Sequence, residues 1–273
     1  MKPKYEIMKI EKIILIIFLT AQLFVTSCHR EYCIKNIDGC TIAVTEEPIE
    51  SIPANIIEHI KRGEKSVDSI KSPVIGHALT TMTVEAPESS LMNFAADALR
   101  EQAQRHTRQR IDVAITNKGG LRSEITEGAI TFGDIYNVFP FENRLVLITL
   151  NGEQMLRLFC EIAKEGGEPI SGARMEIIGY PDNPRCGRVR IGGKEIPTDK
   201  EEQLKREYRI ATSDYLAQGN DGLTTLAEGY NKKEYTITLR DLMIEYIARH
   251  HKRTKGVSAH KDGRVKLIDA TDK

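Results

Sequence analysis

Apolar positions along this chain fall into two spacings, and together they divide it into helices and strands. Apolar residues three and four apart run through Ile49, Ile52, Ile56, Ile57 and Ile60 within Pro48–Ser69, which predicts a helix. The same spacing returns in Leu91, Phe94, Ala95, Ala98 and Leu99, where Ser89 or Ser90 can cap the helix start. Met155, Leu156, Leu158, Phe159 and Ile162 mark a helix over Glu153–Lys164. Leu239, Leu242, Met243, Tyr246 and Ile247 mark another over Thr238–His251. Short apolar or alternating runs predict strands at Val74–Val84, Ile111–Thr116, Leu145–Leu150, Met175–Ile178, Arg188–Ile191, Tyr208–Ala211 and Val265–Ile268. Ile130–Val138 reads as a short helical or irregular piece ended by Pro140. Asn151-Gly152 reads as a turn signal. Interleaved helices and strands predict an α+β (mixed α/β) fold with a mixed sheet in one domain.

The pattern changes character at the N-terminus. Lys2, Lys4, Lys9 and Lys12 precede the apolar run Ile13–Val25, the charged-then-apolar order of a secretory signal, and the run is short for a bilayer span. It ends in Val25-Thr26-Ser27-Cys28, which resembles the bacterial lipobox, where the signal is cleaved before a cysteine that is then lipidated. An uncleaved anchor helix and an ordinary signal peptide are the plainer alternatives, and Met8 is a second candidate start. The lipobox reading makes residues 1–27 a signal peptide, Cys28 a lipidation site, 28–47 a polar tether and 48–273 the folded domain, with its core at about 74–253. The mature chain is then an exported lipoprotein held at the membrane.

Charge removes one class of partner. Lysine plus arginine total 39, as do aspartate plus glutamate, so no excess charge draws the chain to nucleic acid, and none is expected as a partner. Export permits disulfides, and Cys33 with Cys40 would close a small loop near the anchor. Cys160 lies in a helical pattern and reads as a small buried apolar residue.

Three loop segments carry the candidate chemistry, since loops are where function concentrates. In Asn117-Lys118-Gly119-Gly120-Leu121-Arg122 the two glycines let the backbone approach a ligand closely. Asn117 there offers donor and acceptor, and Arg122 a planar fork for hydroxyl or phosphate oxygens. The plain alternative is a hairpin turn with a surface arginine. In Val138-Phe139-Pro140-Phe141-Glu142-Asn143 a proline corner holds two phenylalanines, one of which can face a cleft; both rings in the core is the alternative. In Thr212-Ser213-Asp214-Tyr215-Leu216-Ala217-Gln218-Gly219-Asn220-Asp221-Gly222 an aspartate between glycines can accept from a ligand's hydroxyls, or serve only a local Asx turn.

In this order, with the helix Asn93-Phe94-Ala95-Ala96-Asp97-Ala98 ahead of the glycine turn, the segments resemble the C-terminal, substrate-binding domain of the 5′-nucleotidase family. The resemblance runs from about Val74 to the final helix. It implies a base sandwiched by Phe141 and Tyr215, ribose hydroxyls on Asp221, and sugar and phosphate contacts from Asn117 and Arg122. Gly119, Gly120, Asn143 and Gly219 complete the implied substrate-binding set. The chain departs from the family at Glu88-Ser89-Ser90-Leu91-Met92, where members often carry an arginine, and at Gly219-Asn220-Asp221-Gly222, where two glycines commonly precede the aspartate. In the family a separate N-terminal domain binds two metal ions. Here His29, His59, His77, His106, His250, His251 and His260 are scattered, and no two sit with an aspartate at a metal-ligand spacing. His250-His251 reads as a solvated helix end. The expectation is therefore a nucleotide- or nucleoside-recognising chain without a cofactor of its own, whose divalent metals and catalytic residues belong to a separate metallophosphatase partner. An autonomous nucleoside-binding surface lipoprotein is the second expectation.

Overall fold

A computed structural model describes residues 53–197 and 204–269. The expected signal, Cys28, the tether with Cys33 and Cys40, and the start of the Pro48–Ser69 pattern lie outside them. In chain order the regular elements are helix α1 (Ala54–Lys71), strand β1 (Val74–Ala78), helix α2 (Ser90–Thr107), strand β2 (Val113–Ile115), strand β3 (Gly128–Thr131) and helix α3 (Phe132–Val138). Strand β4 (Arg144–Asn151), helix α4 (Gly152–Lys164) and strands β5 (Ile170–Ser171), β6 (Ala173–Ile178), β7 (Arg185–Ile191) and β8 (Lys194–Glu195) follow. Strand β9 (Glu207–Ser213), strand β10 (Tyr230–Thr238), helix α5 (Leu239–Thr254) and strand β11 (Val265–Ile268) complete the set.

The central sheet runs β10-β4-β9-β2-β5, with β9 and β2 parallel and the other neighbours antiparallel. A second sheet, β11-β6-β7-β8, is parallel only between β11 and β6. The fold is thus α+β with mixed sheets, as the interleaved pattern predicts. Strand β4 is buried on both faces. Leu145 and Leu147 join a core with α2, α3 and α5, while Val146, Ile148 and Leu150 join a second core with α4 and the second sheet. Two buried faces explain an unbroken apolar run in place of alternation. Each such side chain, fully buried, contributes on the order of 1.5–3 kcal/mol.

Helix α4 lies between the sheets and buries Met155, Leu158, Phe159, Ile162 and Ala163. Asn151-Gly152 is not a turn: the Asn151 and Gln154 side chains cap each other's backbone N–H groups, so strand β4 passes straight into α4. Cys160 is exposed, contrary to the buried reading, because it falls off the apolar stripe of α4. Strand β1 is shorter than Val74–Val84. Beyond Ala78 its backbone bonds to Val257, and Met82 makes a single bridge to Ile125. Helix α1 has the expected spacing, yet it buries no residue and leaves Ile56, Ile57 and Ile60 exposed. Strand β10 went unpredicted because none of its side chains is buried and most are exposed and polar.

Candidate functional site

Strand directions gather the three loops. Parallel strands β2 and β9 end at one edge of the central sheet. Antiparallel β4 starts there, with Leu145 opposite Ser213, and β10 ends there, with Thr238 opposite Arg144. Asn117–Arg122 after β2, Phe139–Asn143 before β4, Tyr215–Gly222 after β9 and Leu239 at the start of α5 therefore meet. The carboxyl ends of parallel strands are the usual place for a ligand crevice in open sheets.

Asp221 is the junction of these loops. Tyr215 Oη donates to its Oδ1 at 2.7 Å, and Asn117 Nδ2 donates to its Oδ2 at 2.6 Å. The carboxylate thus reaches across two loops and does not serve a local Asx turn. The hydrogen bond to this carboxylate, with some desolvation and its nearby charge, raises the Tyr215 pKa. Left-handed backbone occurs at Gly219 (φ 86°), Asp221 (φ 53°) and Gly222 (φ 73°), not at Asn220, whose amide donates to the Tyr215 carbonyl at 2.8 Å. A side chain at Gly222 would put its Cβ 2.6 Å from Glu165 Oε1.

Asn117 is buried, and the bond to Asp221 identifies its donor end, leaving Oδ1 as the acceptor. That Oδ1 is buried without a protein donor. It lies 2.7 Å from where a Cβ on Gly120 would stand, so Gly120 is required by close approach. Thr116, Asn117, Gly120, Phe139, Phe141, Asn143 and Leu239 line a small cleft here. A buried acceptor without a donor is costly, and a ligand N–H or O–H would satisfy it.

The proline corner splits its two rings. Phe139 is buried at 7% exposure and Phe141 stands out at 48%. Arg122 sits at the rim, its guanidinium 6.0 Å from the Phe141 ring centre, with Nη1 donating to the Gly119 carbonyl at 3.3 Å. Tyr215 is likewise 39% exposed. Asn143 is half-buried, and its carbonyl accepts from Leu239 N at 2.8 Å.

Two supporting residues escaped the sequence reading. Buried Arg240 donates to the carbonyls of Phe139 and Pro140 and to Glu142, and stands 4.0 Å over the Tyr136 ring, which fixes the corner. Glu168 accepts from the backbone N–H of Lys118 at 2.6 Å and from its Nζ at 2.7 Å, pinning the glycine turn from below. Burial raises the Glu168 pKa; the Lys118 contacts oppose this and Asp221 adds to it, with a net upward shift. Gly166-Gly167 was the only hint of a tight backbone there.

Both Asp221 oxygens and both Glu168 oxygens already accept from protein donors. Glu88, where the family often has arginine, is buried and accepts from Asn93 Nδ2 and from the backbone N–H groups of Asp262, Gly263 and Val265. In α2, Asp97 takes a two-pronged bond from Arg264 and one from Ser171. Glu88, just ahead of α2, and Asp97 within it therefore tie the fold together. His250 is not freely solvated: it stacks on Tyr246 at 4.1 Å and lies 3.4 Å from Glu101.

Known proteins share this fold. The family model for the 5′-nucleotidase C-terminal domain matches residues 70–228. An apyrase of Tabanus yao is 25% identical over 244 residues, covering 82% of this chain and 43% of the apyrase. A trifunctional nucleotide phosphoesterase of Bacillus subtilis is 26% identical over 222 residues, covering 77% of this chain and 15% of that protein. The solved 5′-nucleotidase precursor of Thermus thermophilus superimposes with a TM-score of 0.65 at 26% identity, covering 79% of this chain and 43% of the other. The chain thus spans less than half the length of these relatives. With more than half of its residues matched by the family model, the chain belongs to the 5′-nucleotidase C-terminal domain family.

Proposed function

We propose that this chain recognises the base and sugar of a nucleotide for a split 5′-nucleotidase, with phosphoester hydrolysis performed by a separate metallophosphatase subunit. The observation that carries the reading is the meeting of Asn117, Phe141, Tyr215 and Asp221 at one sheet edge, with Asn117 Oδ1 awaiting a donor. Phe141 and Tyr215 present half-exposed rings, and base–aromatic stacking contributes roughly 1–3 kcal/mol per base. Asp221 accepts the ribose hydroxyls by exchanging them for the Tyr215 hydroxyl or the Asn117 amide. Arg122, exposed at the rim, faces the sugar–phosphate side. The divalent ions that activate water in phosphoester cleavage are the partner's contribution.

Equilibrium dialysis of the full chain against AMP, adenosine and ribose 5-phosphate tests the recognition half. AMP and adenosine should be retained and ribose 5-phosphate should not. Retention of ribose 5-phosphate alone would sink the reading. Mixing with metallophosphatase candidates and divalent metal should raise AMP hydrolysis; no gain with any of them removes the split-enzyme half.

The sequence Val25-Thr26-Ser27-Cys28 favours a second reading, an autonomous nucleoside-capturing lipoprotein at the cell surface. That reading requires micromolar adenosine affinity without a partner, and millimolar affinity contradicts it. Both readings place the chain at a membrane through a lipid on Cys28. Mass spectrometry of the cell-made protein should find a lipidated Cys28 at its N-terminus; an unmodified Met1 or Met8 there contradicts the anchor.

A further inference from the structure

Cys160 and Cys186 are brought together by the packing of α4 on β7. Both are free thiols. Cys186 lies opposite Ile177 of β6, half-buried against the core that holds Leu158 and Phe159. Cys160, the residue after Phe159, is exposed. With the helix packed on the strand, the two thiols are close enough for each to shift the other's ionisation. We propose that Cys160 and Cys186 are a redox dithiol that closes reversibly into a disulfide tying α4 to β7. This inference is independent of what the cleft binds.

The two sulfurs have different parts in the exchange. Donation from Cys186 lowers the Cys160 pKa to about 7; burial and Glu161 oppose the shift and Lys164 aids it. The same contact and burial hold the Cys186 thiol protonated. A thiolate is the attacking form. The exposed Cys160 thiolate attacks a low-molecular-weight disulfide such as oxidised glutathione, forming a mixed disulfide and releasing one glutathione thiolate. Cys186 then loses its proton to solvent, and its sulfur attacks that of Cys160 and expels the second glutathione thiolate. Two protein thiols are oxidised, and one disulfide is reduced to two thiols.

The position gives the bond a consequence. Helix α4 leads directly into Glu165, Gly167 and Glu168, whose oxygens hold Lys118 of the glycine turn. In an oxidising compartment the closed form prevails and braces that loop.

The reduced full chain, treated with oxidised glutathione and digested with trypsin without reductant, should yield peptide Leu158–Lys164 joined to peptide Cys186–Arg188. Dithiothreitol should separate them. Cys186→Ser should instead trap glutathione on Cys160. The rate of Cys160 alkylation by iodoacetamide should have its midpoint near pH 7 and move up toward the ordinary thiol value of about 8.5 in Cys186→Ser. Wild-type Cys160 found only as a glutathione adduct, or joined to Cys33 or Cys40, overturns the proposal. So does an alkylation midpoint that ignores Cys186.

Discussion

Replacing Glu168 separates two roles of one carboxylate. Glu168 is 3% exposed, and it accepts from the Lys118 backbone N–H at 2.6 Å and the Lys118 ammonium at 2.7 Å. Alanine leaves the N–H without a partner, a loss of about 1–3 kcal/mol, and takes a charged partner from the ammonium. The ammonium keeps the carbonyls of Glu165 and Gly167, so the full ~3–5 kcal/mol of a broken buried pair is not reached. Glu168→Ala should therefore cost about 2 kcal/mol. Glutamine retains an acceptor for the N–H and carries no charge. Burial raises the Glu168 pKa despite Lys118, so the ionised form is held at a net cost, and Glu168→Gln should cost under about 1 kcal/mol at neutral pH. A raised folded-state pKa means that the stability this group contributes is full below its unfolded pKa of about 4.3 and is lost as pH rises through the folded value. Wild type should thus gain on Glu168→Gln as pH falls from about 7 toward that value. Urea denaturation of the full chain at several pH values, followed by far-ultraviolet circular dichroism, measures both quantities. Glutamine proving as damaging as alanine at neutral pH, or wild type losing ground to it in mild acid, would refute the reasoning.

Two further substitutions probe the cleft and its support. Gly120→Ala puts a Cβ 2.7 Å from Asn117 Oδ1 and must swing Asn117 off Asp221, which should weaken adenosine binding roughly tenfold with the fold intact; unchanged affinity in calorimetry contradicts this. Arg264→Met removes the bonds to Asp97 and Asp262 and should cost ~3 kcal/mol in urea denaturation. Burial tends to raise the Asp262 pKa, but Arg264 and Arg174 outweigh it and the net shift is downward. That contribution is present above its unfolded pKa and lost as pH falls through the lower folded value, so Arg264→Met should flatten the decline in stability below about pH 4. A decline as steep as in wild type counts against the pairing.

What the sequence revealed follows from which physical signals are local. The run Leu145–Leu150 and the stripe Met155–Ile162 were legible because burial on a strand or helix face leaves a period in the chain. The site loops were legible for the glycines and aromatics in them, but their convergence was not, since it comes from the order β4-β9-β2. Strand β10 shows no clear period because none of its side chains is buried: most are exposed and polar, and only Tyr235 and Ile237 rest against the core. Asn151-Gly152 carried the right residues for two outcomes, and the Gln154 side chain, completing the cap, decided for the helix. Glu168 and Arg240 act over long sequence separations, so no nearby residue announces them. Cys160 was misplaced by a single position on its helix, one step beyond the buried Phe159.

The most direct test of the central claim is a calorimetric titration of the full chain with adenosine, beside Phe141→Ala and Tyr215→Ala. The account predicts saturable binding by wild type. Each variant should be weakened about 5- to 150-fold, the equivalent of ~1–3 kcal/mol of lost stacking. Wild-type binding that both variants keep undiminished would contradict it, because the base would then lie somewhere other than between Phe141 and Tyr215.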